Sequence, residues 1–190
     1  MEQNGTPILK RILFPILSIF LIVQSYKLFK LLDQMILETV WSQVLMAWLL
    51  NLFVTGIFAF TGFAYPTQKL LSDKYYQVKN PNILKRVFKY MGVDVFRKFL
   101  LATFWRDKKM QKKFFDGKKT GFEVLDEQTK KSEFGHLCPF VILTIMSVYY
   151  LVMGNGVFAF FVMLWNILGN LYPIILQRHH RMRLQRILNR

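Results

Sequence analysis

The sequence has few of the residues and motifs from which most catalytic sites are built. It contains one cysteine, Cys138, so it cannot form an internal disulfide or a CxxC redox or metal site. No GxSxG, P-loop, GxGxxG or HExxH pattern occurs, and none of the three histidines begins the HxxxxD pattern of glycerophosphate-type acyltransferases. These absences argue against nucleotide-cofactor enzymes and zinc hydrolases. They predict neither a metal site nor a tightly bound cofactor.

Acidic residues are also scarce. The chain carries 26 Lys and Arg against 11 Asp and Glu, a formal charge of +15, and yet 53% of its residues are apolar. These properties agree only if the charges and the apolar residues occupy different parts of the chain. Two intervals, 39–68 and 137–177, contain no charged side chain. A membrane protein with separate apolar spans explains this pattern better than a soluble domain does.

The apolar intervals predict the number of spans. A helix that crosses a bilayer needs about 20 apolar residues. The interval 39–68 holds one such helix, expected at 40–60. The interval 137–177 holds two, expected at 137–153 and 157–176, because Gly154-Asn155-Gly156 supplies a turn between them. The run 12–26 is expected to be a retained first helix; a signal peptide is the alternative, but no small-residue cleavage site follows. The predicted fold is all-α and polytopic, with about four transmembrane helices.

Between the second and third spans lies a basic segment, residues 67–131, with 17 Lys and Arg. Two apolar runs in it, 83–91 and 95–100, have helical spacing, and Gly92 separates them. This pattern predicts basic amphipathic helices in the headgroup layer, and a small cap that packs on itself is the alternative. The second run continues through Phe104-Trp105-Arg106 into a Lys-rich turn around Asp116-Gly117.

The distribution of basic residues predicts the topology. The N-terminus, the middle segment and the C-terminus are basic, whereas the 27–38 connection has two basic residues and the Gly154 turn has none. By the positive-inside rule, both termini and the middle segment are cytoplasmic. The basic charge therefore predicts a membrane-lipid partner rather than nucleic acid. The chain divides into a two-span segment at 1–66, the basic segment at 67–131, and a third part at 132–190.

The third part begins with a pair of residues suited to acid–base chemistry. Glu133 and His136 are three residues apart, so on a helix they share a face. A carboxylate beside an imidazole fixes its tautomer and raises its basicity, as a general base acting on a hydroxyl requires. Because Pro139 follows, the pair is expected on a short helical turn before the span. The alternative is a Glu and a His that only solvate a helix end.

Polar and basic residues recur at the other end of this part. Asn166, Asn170, Pro173 and Gln177 form one stripe on the fourth predicted helix, and such polar groups face other helices or a cavity. The tail beyond it is rich in arginine, including Arg178, Arg181 and Arg183. The hairpin should bring this cluster opposite Glu133 and His136. Arginine suits phosphate and carboxylate, so the cluster predicts an anionic ligand; a positive-inside anchor is the alternative.

These residues resemble the glycosyl-diaponeurosporenoate acyltransferase family, small bacterial membrane proteins of carotenoid glycolipid synthesis. The resemblance covers roughly residues 75–188. It rests on K-K-S-E-F-G-H, on N-L-Y-P-I-I-L-Q-R-H-H-R-M-R-L, and on the aromatic-basic run around Phe96 and Phe104-Trp105-Arg106. The chain departs from the family pattern at Leu137, where an aromatic residue is common, and at His179-His180, where Tyr-Asn is common.

The resemblance implies transfer of a fatty acyl group to a hydroxyl, expected on the sugar of a lipid or carotenoid glycoside, at the cytoplasmic leaflet of the bacterial inner membrane. On this hypothesis His136 is the base and Glu133 orients it. Acyl-CoA or acyl-carrier protein is the expected donor, held by Arg178, Arg181 and Arg183. Asn170 and Gln177 would bind the sugar or the oxyanion. The competing hypothesis is a non-catalytic lipid-binding or assembly subunit, and a membrane methyltransferase or reductase is a third.

Overall fold

The computed structural model describes residues 8–34, 39–103 and 119–188. Within these ranges the chain is almost entirely helical and has no strand. Eight α-helices follow one another in the described residues: α1 (Ile8–Gln34), α2 (Val40–Ala64), α3 (Asp73–Tyr76), α4 (Pro81–Tyr90), α5 (Val93–Thr103), α6 (Lys119–Val152), α7 (Gly156–Asn166) and α8 (Tyr172–Leu188). A 3-10 turn at Thr67–Leu70 follows α2, and a π-helical turn at Ile167–Leu171 joins α7 to α8.

Four stretches are long and apolar enough to cross a membrane, which confirms the predicted all-α, four-span fold. They are Ile8–Gln34, Val40–Ala64, Gly121–Val152 and Gly156–Leu188. Their outer faces expose large apolar side chains; Ile19 and Phe160, for example, are each 61% exposed. Lipid tails cover such side chains at no cost, so the exposed residues are the surface that a transmembrane bundle needs.

Individual residues explain where the spans begin and end. Thr39 caps α2, because its hydroxyl accepts a hydrogen bond from the Ser42 amide. Tyr65 is extended because Pro66 follows it, and α2 ends there. The predicted turn between the last two spans is confirmed, since Gly154 has a φ of +83°, a conformation that glycine adopts without strain.

Two local predictions were wrong. A short helical turn before Pro139 was predicted, but α6 runs unbroken from Lys119 through Pro139 to Val152. Proline removes only one hydrogen bond of the ladder, and transmembrane helices tolerate this loss. The fourth helix was predicted to end near residue 176, but helical structure continues through the arginine-rich tail to Leu188.

The described residues form two compact units, each considered by itself. The first unit comprises the described residues up to Thr67 together with Phe134–Leu171. In it α1 packs along α2, and α2 packs on α7. Its apolar core comprises Leu28, Leu32, Ala47, Leu50, Val54, Leu143, Tyr150, Phe158, Ala159 and Val162.

The second unit contains the described residues of 68–133 and α8. Here α4 and α5 both pack on α8, and the Phe88 ring stacks on His179 at 4.0 Å between centroids. Gly92, with a φ of +65°, separates α4 from α5 as predicted. Part of the apolar face of α4 is thus used inside the unit, whereas Val95 and Phe99 on α5 stay 70% and 57% exposed.

Some predictions remain untested. Phe104-Trp105-Arg106 and the turn at Asp116-Gly117 lie outside the described residues. The two compact units are defined by contacts, and each combines two separate stretches of the chain. The three-part division at 1–66, 67–131 and 132–190 therefore stays a prediction about functional organisation.

The close packing of α1 on α2 gives a first testable prediction. A Cβ atom on Gly56 would lie 2.5 Å from Cδ1 of Leu21, whereas a Cβ atom on Gly156 would meet Leu151 at an ordinary 3.8 Å. Gly56→Val should therefore lower stability by about 1 kcal/mol, the low end of overpacking costs, because the end of the flexible Leu21 side chain must shift. Gly156→Val is the matched control and should change stability much less. Thermal unfolding of both variants in detergent measures the difference, and equal melting temperatures would contradict the packing described here.

Candidate functional site

His136 lies in the first unit, half-buried on α6. Its Nδ1 lies 3.1 Å from the side-chain oxygen of Asn170. The sequence predicts that Glu133 orients the imidazole. In the structure the side chain that hydrogen-bonds the imidazole is that of Asn170.

Asn170 belongs to a hydrogen-bonded chain inside the first unit. Its amide nitrogen donates to the side-chain oxygen of Asn166 at 3.0 Å and to the Thr55 hydroxyl at 3.1 Å. The Asn166 amide nitrogen donates to the Phe140 carbonyl at 2.9 Å and to the Thr144 hydroxyl at 3.2 Å. Both asparagines are 0% exposed. The stripe predicted on the fourth helix thus faces other helices, and we name Asn166, Asn170 and His136 the asparagine–histidine chain.

The π-helical turn Ile167–Leu171 lies where the asparagine–histidine chain meets the imidazole. Such turns insert one residue into a helix and occur often at functional sites. Pro173 follows, and because proline has no N–H it cannot complete an α-helical bond to the Gly169 carbonyl. The spacing of Gly169 and Pro173 therefore carries a sequence signal for an irregular helix beside Asn170.

Glu133 lies in the second unit and is 0% exposed. One carboxylate oxygen accepts a hydrogen bond from Nε of Arg178 at 2.7 Å, and the other accepts from an Nη of Arg181 at 2.5 Å. Both oxygens are thus engaged by arginine. This glutamate–arginine cluster holds one negative and two positive charges, so it retains a net charge of +1.

Aromatic rings cover both arginines of the cluster. The guanidinium of Arg178 lies 4.9 Å from the centroid of Tyr75, and that of Arg181 lies 4.9 Å from the centroid of Tyr76. Burial, together with the Glu133 carboxylate, raises the pKa of Tyr76 to about 12 and also raises the pKa of Tyr75. Both phenols therefore stay protonated near neutral pH and can donate a hydrogen bond.

The two arginines differ in how a ligand could reach them. Arg181 is 0% exposed and also donates to the Thr129 hydroxyl at 3.2 Å and to the Tyr76 carbonyl at 3.4 Å. The Arg178 side chain is 36% exposed. Of this pair, Arg178 is the arginine that a soluble ligand could reach, while Arg181 ties α8 to the last residue of α3.

Several residues that support the glutamate–arginine cluster could not be identified from a sequence motif. Thr129 and Tyr76 contact Arg181, and Gln185 accepts from the Val78 amide at 3.2 Å. Their roles depend on contacts across more than fifty residues of chain, as the 107-residue separation of Val78 and Gln185 illustrates. No local pattern in the sequence singles them out.

The remaining predicted residues lie at other positions on α8. Arg183 is exposed and Gln177 is half-buried. The described part of the chain contains no group of three or more His, Cys, Asp or Glu side chains that could hold a metal ion. The meeting of the arginine cluster with His136 in one site, as predicted from the hairpin, stays a prediction.

Comparison with known proteins identifies the family. The sequence profile described as glycosyl-4,4'-diaponeurosporenoate acyltransferase matches residues 72–190, more than half of the chain. The chain belongs to this acyltransferase family. The match covers His136, Glu133, both asparagines and the arginines described above, and it confirms the resemblance noted from the sequence motifs. No curated protein and no solved structure shows significant similarity to the chain.

Family membership decides between the hypotheses drawn from the sequence. It supports an enzyme of the acyltransferase class in a membrane, rather than a non-catalytic subunit, a methyltransferase or a reductase. The family description also associates this class with a glycosylated carotenoid acid.

The glutamate–arginine cluster gives a stability prediction. Glu133→Gln leaves the fully buried Arg181 and the partly exposed Arg178 without their counter-ion, and breaking a buried pair costs about 3–5 kcal/mol. Asp94→Asn is the matched control, because Asp94 pairs with Arg97 at 2.6 Å but is 42% exposed, and exposed pairs contribute at most about 1 kcal/mol. Thermal unfolding in detergent should show a large loss for Glu133→Gln only. A loss no greater than that of the control would contradict a structural role for the cluster.

Proposed function

We propose that the protein transfers a fatty acyl group from a thioester donor to a sugar hydroxyl of a glycosylated carotenoid or related lipid at the cytoplasmic leaflet. The observation that carries this proposal is the His136 imidazole, fixed by a buried asparagine within the region that matches the acyltransferase family. Hydroxyl groups are weak nucleophiles at neutral pH, so the transfer needs a positioned base. A histidine with its ring held in one orientation meets that need.

His136 is the proposed base in a two-step transfer. Its imidazole takes the proton of the acceptor hydroxyl as the oxygen forms a bond to the acyl carbonyl carbon. The tetrahedral oxyanion then collapses, the carbon–sulfur bond of the donor breaks, and the imidazolium returns the proton to the departing thiolate. The products are an ester and a free thiol, and no further reactant is needed.

We assign donor binding to Arg178 and Arg183, the two exposed or half-exposed arginines of α8 among those predicted. Acyl-CoA and acyl-carrier protein both carry phosphate next to the pantetheine arm, and arginine binds phosphate with two parallel hydrogen bonds. The Arg178 guanidinium lies 4.9 Å from the centroid of the Tyr75 ring, and the Arg178 side chain is 36% exposed. Arg181 is assigned to holding Glu133, because it is fully buried.

The two residues predicted to bind the sugar or the oxyanion, Gln177 and Asn170, are assigned different roles. Gln177 is half-buried and keeps its proposed role, a hydrogen bond to the sugar or to the oxyanion. Asn170 is fully buried, and both its amide atoms already contact His136, Asn166 and Thr55. We therefore assign Asn170 to positioning rather than to the substrate. The exposed apolar faces of the last two spans would accommodate the lipid tail.

We further propose that the protein lies in the bacterial inner membrane with both termini in the cytoplasm. The basic residues of α4 and α5 would then lie at the cytoplasmic headgroups, where each contributes about 1 kcal/mol of attraction to anionic lipid. The exposed Val95 and Phe99 on α5 suit insertion just below those headgroups. This orientation would give the transferase access to a donor made in the cytoplasm.

Catalysis by His136 is tested with membranes that carry each variant. His136→Ala should reduce transfer of a radiolabelled acyl chain into the lipid fraction by about 10²–10⁴, the usual contribution of a positioned proton acceptor. Normal transfer by a well-expressed His136→Ala protein would remove the base from this proposal and favour a non-catalytic lipid-binding role.

Arg178→Lys should mainly raise KM for the donor, because a point charge replaces a bidentate fork.

The orientation is tested by cysteine labelling in a Cys138→Ala background. Single cysteines at Asn155, in the turn before α7, and at exposed Lys89 on α4 should be labelled from opposite sides of the membrane. An impermeant maleimide added outside the cell should reach Asn155→Cys only. Labelling of Lys89→Cys from outside would overturn the proposed topology.

A further inference from the structure

The asparagine–histidine chain is hydrogen-bonded at one end to the backbone carbonyl of Phe140. A backbone carbonyl can only accept a hydrogen bond. The side-chain atom of Asn166 that faces the Phe140 carbonyl at 2.9 Å must therefore be its amide nitrogen. The other terminal atom of Asn166, which faces Asn170, is in consequence its oxygen.

The same reasoning passes along the chain to the imidazole. The Asn166 oxygen can only accept, so the atom of Asn170 that lies 3.0 Å from it must be the amide nitrogen. The remaining atom of Asn170, 3.1 Å from Nδ1 of His136, is then the oxygen, which also can only accept. Nδ1 of the neutral ring must carry the hydrogen, and Nε2 carries the lone pair.

The two threonines beside the chain do not set this direction. Thr55 and Thr144 contact the asparagines through hydroxyl groups, and a hydroxyl can donate or accept by rotating. They complete the hydrogen bonds of buried amides without specifying which end of an amide faces the imidazole. The Phe140 carbonyl, which is linked to the imidazole through Asn166 and Asn170, is the group that specifies it.

We infer that Asn166 and Asn170 are positioning residues that hold neutral His136 as the Nδ1–H tautomer and so present Nε2 as the basic nitrogen. The kinetic consequence rests on the proposed function, but the tautomer itself does not. Reversing the direction of either amide would put an N–H group against Nδ1, and Nε2 would then carry the hydrogen. A ring in that state could not take a proton from an acceptor hydroxyl through Nε2.

Nitrogen NMR of the full-length protein in lipid nanodiscs tests the tautomer directly. Protein labelled with ¹⁵N-histidine gives signals from three histidines, and His136→Gln identifies the one of interest. At a pH where the ring is neutral, Nδ1 of His136 should show a protonated, pyrrole-type shift and Nε2 an unprotonated, pyridine-type shift. The reverse assignment in the wild-type protein would overturn the inference.

Variants test whether the asparagines impose that state. Asn166→Leu and Asn170→Leu should each convert the single tautomer into a mixture, with both nitrogens shifted toward intermediate values. The matched control is Asn51→Leu, because Asn51 is a buried asparagine of the same unit, 6% exposed, that donates to the Val162 carbonyl at 3.2 Å without contacting His136. Asn51→Leu should leave the His136 signals unchanged. An unchanged tautomer in Asn166→Leu would overturn the role of Asn166.

Kinetics supply the second readout. Asn166→Leu should lower kcat by about 10- to 100-fold, the loss seen when hydrogen-bond partners that orient metal-bound histidines are removed, and should leave KM for the donor unchanged. Asn51→Leu should keep wild-type kcat. If the wild-type protein shows no transfer, the proposed function fails while the NMR result still tests the tautomer. If transfer occurs and kcat of Asn166→Leu equals that of Asn51→Leu, the positioning role fails instead.

Discussion

A polar side chain inside a transmembrane bundle loses its hydrogen bonds to water, and the bundle must replace them or lose several kcal/mol for each group. This cost explains why the asparagine–histidine chain and the glutamate–arginine cluster form among buried polar residues. In the first unit Asn166 and Asn170 use nearly all their hydrogen-bonding capacity on one another, on helix carbonyls and on His136. In the second unit Glu133 is neutralised by two arginines.

The same requirement gives Glu133 a structural role and leaves His136 as the proposed base. A buried carboxylate without a counter-ion is too costly to keep, so Glu133 serves first to hold Arg178 and Arg181. Neutral imidazole needs only one hydrogen bond to fix its ring, and an asparagine supplies it without adding charge. On the proposed function, the His136 imidazole accepts a proton from the acceptor hydroxyl, and Arg178, the partly exposed arginine of the glutamate–arginine cluster, binds an anionic donor.

The sequence predicted the four membrane spans well, because charge-free intervals of about 20 residues or more are rarely anything but transmembrane helices. Its i, i+3 argument, however, assigned Glu133 to His136, and sequence spacing could not reveal competing partners 45 and 48 residues away for Glu133 or 34 residues away for His136. The stripe through Asn166 and Asn170 was visible as a pattern, but its partners were not. The prediction from Pro139 was wrong because the one backbone hydrogen bond that proline removes does not end α6.

The central claim is that this family member acylates a glycosylated lipid, and mass spectrometry of products from purified protein tests it most directly. The protein in nanodiscs would be offered a glycosylated carotenoid acid with an isotope-labelled acyl thioester, presented both as acyl-CoA and as acyl-carrier protein. The account predicts a product heavier than the acceptor by one labelled acyl group in place of a sugar hydroxyl hydrogen, with fragments that locate the ester on the sugar. Recovery of unchanged acceptor from folded protein with either donor would contradict it.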